Sequence, residues 1–319
     1  MAQVRHSEPI SLYELNRQIK SVIKNATEPA YWVFAEISEL KINVSGHCYI
    51  ELVEKDEKTE NLKARSRATI WSSTFRMVSS YFESSAGINL SPGIKIMVRV
   101  TVDFHELYGL SLNIIDIEPS YTVGELARKK QEIINRLIQE GVFDMNRELE
   151  FPRLPKRIAV ISSETAAGYG DFTDQLLNNE YDFQFHLKLF PAYMQGEDAE
   201  NSIIHALEDI HRYEDFFDVV VIIRGGGSQA DLSCFNNYRL ALHVVQFPLP
   251  ILTGIGHEQD ETIVDLVAHS QLKTPTAVAE YLISCFLDEF EQLNELTSRL
   301  VRQTNERVET ENARISQIG

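Results

Sequence analysis

Cysteine is scarce in this chain, and so are the devices that depend on it. The three present, Cys48, Cys234 and Cys285, stand far apart and in no metal-ligand spacing, which excludes a disulfide framework and a cysteine-based zinc site and points to a reduced compartment. No run of eighteen apolar residues occurs, so no helical membrane span is expected. The opening MAQVRHSEPI lacks the apolar core of a secretory signal. A cytoplasmic protein without membrane contact is the expectation. Positive charge is also short: 30 Lys and Arg stand against 47 Asp and Glu, a net charge of −17. Averaged over the chain, that balance argues against a nucleic-acid partner. Its distribution argues otherwise, because residues 1–120 carry 13 basic and 15 acidic groups while residues 121–285 carry 13 and 25, and 286–319 carry 4 and 7. The first 120 residues are near neutral and can hold a local positive groove.

What is present divides into three parts. Residues 10–24 place Leu12, Leu15, Ile19, Val22 and Ile23 at helical spacing behind a capping Ser11. Five short segments rich in β-branched and aromatic residues follow, around YWVFAEISEL, HCYIELVE, KARSRATIW, IKIMVRVTVDF and GLSLNIIDIEP. Five strands in about a hundred residues predict a small β-barrel of the oligonucleotide-binding (OB-fold) type over residues 1–120. Such barrels hold single strands with aromatic platforms and a basic groove. Tyr49, Trp71 and Phe75 supply aromatics, and Lys63, Arg65 and Arg67 alternate on one strand and so share a face. The competing reading makes Trp32, Phe34 and Trp71 core residues and the charged row an edge-strand guard.

Residues 122–141 read as a helix stopped by Gly141, and beyond Pro152 and Pro155 the pattern changes. KRIAVISS, LKLFPAYMQG, DVVVIIRGGGS and the strand ending at Ile251–Leu252 are continuous apolar runs alternating with helical segments. That alternation predicts an α/β domain with a mainly parallel sheet over residues 121–285. In RGGGS, three glycines follow a buried strand and lead toward a helix, with Arg224 in front. Exposed backbone N–H groups and a guanidinium make Gly225, Gly226, Gly227 and Ser228 the expected phosphate cradle. The Walker lysine and the GxGxxG spacing of dinucleotide sites are both missing.

The stretch ILTGIGHEQDETIVDLVAHS throws His257 out just past a strand end, where open α/β sheets bind ligands, with Glu258, Asp260, Glu261 and Asp265 close behind. An imidazole beside carboxylates suits acid–base work. Glu261 and Asp265 read better as solvated first-turn acids of the helix that follows. From Phe286 the apolar positions recur every three or four residues to Ile318, which predicts one long helix over 286–319, the start of a coiled coil that needs a partner helix.

The order of these pieces resembles the large subunit of the exodeoxyribonuclease VII family. The resemblance runs through EISELKINVSGHCYIEL, PKRIAVISSETAAGYGDF, DVVVIIRGGGSQADLSCFNNYRLA and PILTGIGHEQDETIVDLVAHSQLKTPTAVAE, and covers nearly the whole chain. It implies a hydrolase that cuts single-stranded DNA from either end into short oligonucleotides without a required metal. It also implies a hetero-oligomer in which a small helical subunit grips the C-terminal helix. Carried over by motif, the implied catalytic residues are Asp171, Arg224, His257 and Asp260. Asp171 enters only through the resemblance; its residue pattern alone suggests a helix cap. With no cation, Arg224 and the amides of Gly225–Gly227 would meet the charge on the phosphate, and His257 would serve as general base or general acid, oriented by Asp260 or Asp171. Were a metal used, Asp171, Glu258 and Asp260 would be its oxygen ligands. The family usually has Pro and Gly where Glu164 and Ala166 stand, an acid at Ala230, a Trp near Ser233, and Asp and Arg at His269 and Gln271. Glu164 and Gln271 make the pocket less cationic, which motivates the alternative of a catalytically weakened single-strand-binding protein on the same fold. An anticodon-type barrel on a tRNA-charging enzyme is disfavoured because no ATP-binding aminoacylation core follows.

Overall fold

The structure is a computed structural model that describes residues 9–318 except 57–58, 60, 197, 227–228 and 256–260. The chain divides into two compact units, Met1–Lys129 and Lys130–Gly319.

In the first unit α1 (Leu12–Ala26) opens on a full capping box, with Glu14 N donating to Ser11 Oγ and the Glu14 carboxylate accepting from Ser11 N. Five strands follow: β1 (Tyr31–Ile42), β2 (Cys48–Lys55), β3 (Leu62–Ile70), β4 (Lys95–His105) and β5 (Gly109–Glu118). They close a barrel in the order β1-β2-β3-β5-β4. The long β1 serves both halves, pairing through Tyr31–Glu36 with β4 and through Glu36–Ile42 with β2, and a bulge between Ile37 and Glu39 lets it turn the corner. A parallel pairing of β3 with β5, Ala68 opposite Leu112, completes the closure. Alternate residues such as Ile37, Ile50, Ala68, Val98 and Ile114 fill the interior. A helix the strand pattern did not predict, α2 (Ser72–Ala86), plugs one end with Val78 and Phe82. Phe75, expected as a surface aromatic, lies on this helix and packs against the barrel core. Trp32 and Phe34 go the other way: they are exposed on β1, at 49% and 59%, and are not core.

Helix α3 (Pro119–Gln139) starts on the barrel, where Thr122 Oγ1 donates to Lys95 O, and Leu137 near its end is buried in the core of the second unit. The second unit then alternates: β6 (Arg157–Ser162), α4 (Ala167–Leu177), β7 (His186–Pro191), α5 (Ala199–His211), β8 (Val219–Ile223), α6 (Tyr238–Val245), β9 (Ile251–Gly254), α7 (Ile263–Val267), β10 (Ser270–Gln271) and α8 (Pro275–Ile318). Every pairing in this sheet is parallel, in the order β10-β9-β8-β6-β7. One face packs Phe172, Leu176, Val278 and Leu282 from α4 and α8. The other packs α5, α6 and α7 through residues such as Ile203, Leu240 and Val264. Central strands buried on both faces explain the unbroken apolar runs, for all five residues of β8 are buried.

Buried Asn146 fastens the second unit. Its Nδ2 donates to Phe247 O and Leu249 O, and its Oδ1 accepts from Ile251 N and His269 N, at 2.9–3.1 Å. One side chain thereby ties the start of β9 to the approach of β10. The long helix α8 is seated by a ring cluster, with Phe286 at 4.7 Å from Phe185 and 5.4 Å from Phe183. From Glu291 to Thr310 every residue is exposed.

Candidate functional site

The order of the parallel strands defines where a ligand belongs. The chain leaves β6 to form β7 on one side and then crosses back to form β8 on the other, so the connections diverge between β6 and β8. A crevice opens beyond the carboxyl ends of strands at such a switch point. Ser162 closes its floor, its buried hydroxyl donating to Ile223 O at 2.9 Å. Arg224 N continues the pairing of β8 with β9 by donating to Gly254 O at 3.2 Å.

Around that point three backbones approach one another too closely for side chains. A Cβ on Gly168, in the first turn of α4, would lie 2.8 Å from Gly225 Cα and 2.9 Å from Pro275 Cγ; a Cβ on Gly225 would lie 2.9 Å from Gly168 N. A Cβ on Gly254 would lie 2.8 Å from Val278 Cγ2 and 3.1 Å from Thr274 O. Glycines at these positions let the loops after β6, β8 and β9 and the start of α8 converge. The N-terminus of α4 has no side-chain cap. Among the described residues the amides of Ala167 and Gly168 have no acceptor; Ala167 is exposed, so its amide is an electropositive donor open to solvent, whereas Gly168 is buried against Gly225. The glycine run points to the β8 loop alone, whereas the structure brings the SSETAAGYGD turn against it through Gly168 and Gly225. The signal for this was present, a small-residue turn between a buried strand and a helix.

The expected catalytic residues fall unevenly. Arg224 is buried, 7% exposed, immediately after β8. A guanidinium withdrawn from water exerts its charge through a lower dielectric. Asp171 is exposed on α4, one turn on from Gly168. Gly225 and Gly226 are at the crevice end of β8. Gly227, Ser228, His257, Glu258 and Asp260 lie outside the described residues. The chain on either side of the last three is anchored beside the crevice: β9 pairs with β8 as far as Ile223 opposite Gly254, and Ile263 N donates to Asn236 Oδ1 at 2.9 Å. The two loops therefore leave adjacent strands and return to elements joined by Asn236.

Asp265 corrects an expectation. It is 2% exposed rather than solvated, and its Oδ2 accepts from Thr262 N and Oγ1 in a capping box that starts α7. Nor does His269 stand at the crevice. It adjoins β10 at the amino ends of the strands, where burial holds its pKa below the usual histidine range, the Leu149 backbone hydrogen bond opposing and Arg147 adding to the effect. Among the described residues no cluster of three ligating side chains is placed to hold a metal.

On the barrel, Tyr49 and Trp71 are about half exposed and Lys63, Arg65 and Arg67 all face outward from β3. Trp71 is held edge-on against His47 at 4.9 Å, and His47 Nδ1 accepts from Ser72 N. Two of the three cations have carboxylate partners: Arg65 meets Glu51 at 2.6 Å and Lys63 meets Asp56 at 2.9 Å. The face is mixed in charge rather than uniformly basic.

An OB barrel joined to a parallel α/β domain is the architecture of a nucleic-acid-processing class of protein, and the comparisons agree. The description "OB-fold nucleic acid binding domain" matches residues 10–118, and "Exonuclease VII, large subunit" matches residues 142–319. The exodeoxyribonuclease 7 large subunit of Deinococcus radiodurans is 33% identical over 94% of this chain and 73% of its own length. That of Shouchella clausii is 30% identical over 98% and 64%, and that of Campylobacter lari 31% over 91% and 70%. The chain belongs to the exonuclease VII large subunit family. It spans about two thirds to three quarters of the length of these relatives. Solved structures of Drosophila Piwi and of a PriB N-terminal domain match with TM-scores of only 0.24 and 0.19. No helix among the described residues is long and apolar enough to cross a membrane.

Proposed function

We propose that this chain is the nuclease subunit of an exodeoxyribonuclease that hydrolyses single-stranded DNA from its ends into short oligonucleotides. The observation that carries the reading is the convergence of Arg224, the touching backbones of Gly168 and Gly225 and the exposed, unpaired amide of Ala167 at the β6/β8 switch point. In the reaction a water oxygen bonds to phosphorus and the ester bond to the sugar oxygen breaks. The water proton passes to a base and the leaving oxygen takes one up. Positive charge and N–H donors at the crevice stabilise the extra negative charge on the phosphoryl oxygens. His257 moves one of the two protons, and Asp171 or Asp260 orients it. The barrel holds the strand on the Tyr49, Trp71 and Lys63–Arg67 face. The exposed α8 forms a coiled coil with a small helical subunit, its Phe290, Leu293, Leu300 and Val308 being exposed apolar positions three, seven and eight apart.

Digestion of end-labelled single-stranded DNA in excess EDTA, with the small subunit supplied, tests this. Short oligonucleotides from the wild type and intact substrate from His257→Ala support it. Binding without cleavage by the wild type, even after magnesium is restored, favours the weakened single-strand-binding protein, for which the acid at Glu164 beside the crevice speaks.

A further inference from the structure

The loop that carries His257 is seated at its two ends by different means. On the near side the sheet does it: Gly254 pairs with Ile223, Arg224 N donates to Gly254 O, and Ile255 is buried in the core shared with α5, α6 and α7. On the far side there is no strand. The first residue past His257, Glu258 and Asp260 is Glu261, exposed, and its carbonyl precedes the cap of α7, whose helical pairing begins only with Leu266 N donating to Thr262 O. A carbonyl one residue before the cap lies outside the helical ladder and needs a donor from elsewhere.

Lys130 is that donor. Its Nζ reaches Glu261 O from α3, 131 residues away in the chain, and Lys130 is half-buried there. A hydrogen bond from a charged donor is roughly twice as strong as a neutral one. The next two residues are held by other groups, Thr262 N by the Asp265 carboxylate and Ile263 N by Asn236 Oδ1. Lys130 thus grips the backbone at the point closest to the loop. The far end of α7 is gripped in a similar way, with Arg147 Nη2 donating to Leu266 O while its Nη1 lies 3.4 Å from Asp144. Each end of the short helix has a cation on a carbonyl, and of these two only Lys130 borders the loop.

We propose that Lys130 is a positioning residue of the cleavage reaction: by holding Glu261 O it fixes the foot of the loop that brings His257 to the phosphate. The proposal rests on the nuclease reading and on His257 as its proton carrier. Without the ammonium, water can take its place at an exposed residue's carbonyl, so folding loses little. The foot of the loop is then free to shift, and a displacement of about 1 Å at a reacting group can slow a reaction roughly a hundredfold.

Single-turnover cleavage of end-labelled single-stranded DNA at saturation, with the small subunit supplied, and anisotropy binding of the same DNA test it on the full chain. Lys130→Met is expected to cleave roughly tenfold more slowly, while binding within about twofold of wild type and melting within about 2 °C of it. Lys130→Arg, which keeps a charged donor, should restore most of the rate. Lys129→Met removes the same charge from the neighbouring exposed position and should match wild type. Arg147→Met frees the other end of α7 and should lower the melting temperature without lowering the saturated rate. Unchanged cleavage by Lys130→Met, with His257→Ala inactive, would overturn the positioning role and leave the nuclease reading standing. Weaker binding with a normal saturated rate would overturn it too, by making Lys130 a phosphate contact. So would an equal rate loss in Lys129→Met or Arg147→Met, which would trace the effect to net charge or to the seating of α7. Absence of cleavage by the wild type, even with magnesium restored, would remove both readings.

Discussion

The barrel and the α/β unit place function on opposite kinds of structure. On the barrel the candidate residues are outward side chains of strands, exposed, partly ion-paired and separable from the core beneath them. In the α/β unit the candidate site is framed by the touching backbones of Gly168 and Gly225 and by Gly254 packed under Val278 and Thr274, beside a buried Arg224. The first arrangement tolerates substitution and can be tuned residue by residue. The second depends on ångström-scale packing, so that remote anchors such as Asn146 belong to the site's support.

That contrast is sharpest where it concerns stability. Asn146→Ala strips partners from two buried carbonyls and two amides, a loss of about 3–5 kcal/mol. The midpoint of thermal unfolding should fall by roughly 10 °C. Arg65→Ala, which removes an ion pair 60% exposed on the arginine side, should change it by under about 1 kcal/mol. Equal effects would erase the distinction.

A smaller but more local contrast lies within α4. Gly168→Ala forces a Cβ to 2.8 Å from Gly225 Cα and should lower cleavage at least roughly a hundredfold by moving the loops apart. Gly170→Ala, two residues on and meeting nothing within 4 Å, should be neutral or stabilise by up to about 1 kcal/mol. Parallel loss of activity in both variants, measured as oligonucleotide release, would mean that close packing is not the cause.

The mildest test is pH. His269 has a folded pKa held below its unfolded value of 6.5. As pH falls through that value the unfolded chain takes up the proton first, so stability present above it is lost downward until the folded pKa is reached. Thermal melts of wild type between pH 7.5 and pH 5 should decline more steeply than those of His269→Gln; identical slopes would show that the histidine is not titrating as described.

Much of this was legible from the residues, and the gaps have causes. The five barrel strands and the four longer strands of the sheet announce themselves because alternation and continuous apolar runs report burial on one face or two. Helix α2 stayed hidden, since SSTFRMVSSYFESSA is crowded with serine and its aromatics suggested surface platforms. Trp32 and Phe34 are exposed on the half of β1 that pairs with β4, where aromatic content alone does not tell inside from outside. Asp265 was misread as solvated although the capping signature Thr262-x-x-Asp265 was present. Asn146 was invisible because its partners lie 101 to 123 residues away. Of the site, Arg224 and the glycines could be anticipated from strand-end position, but the place of Ala167 and Gly168 beside Gly225 required the approach of two loops distant in the chain.

The division of labour between the two units is most directly tested by measuring single-strand binding and single-turnover cleavage together for Arg224→Ala and Trp71→Ala. The account predicts that Arg224→Ala binds within a few-fold of wild type but cleaves at least roughly a hundredfold more slowly. Trp71→Ala should lose about 1–3 kcal/mol of binding and recover its cleavage rate at saturating DNA. Wild-type cleavage by Arg224→Ala, or a saturated rate lost in Trp71→Ala, would contradict it.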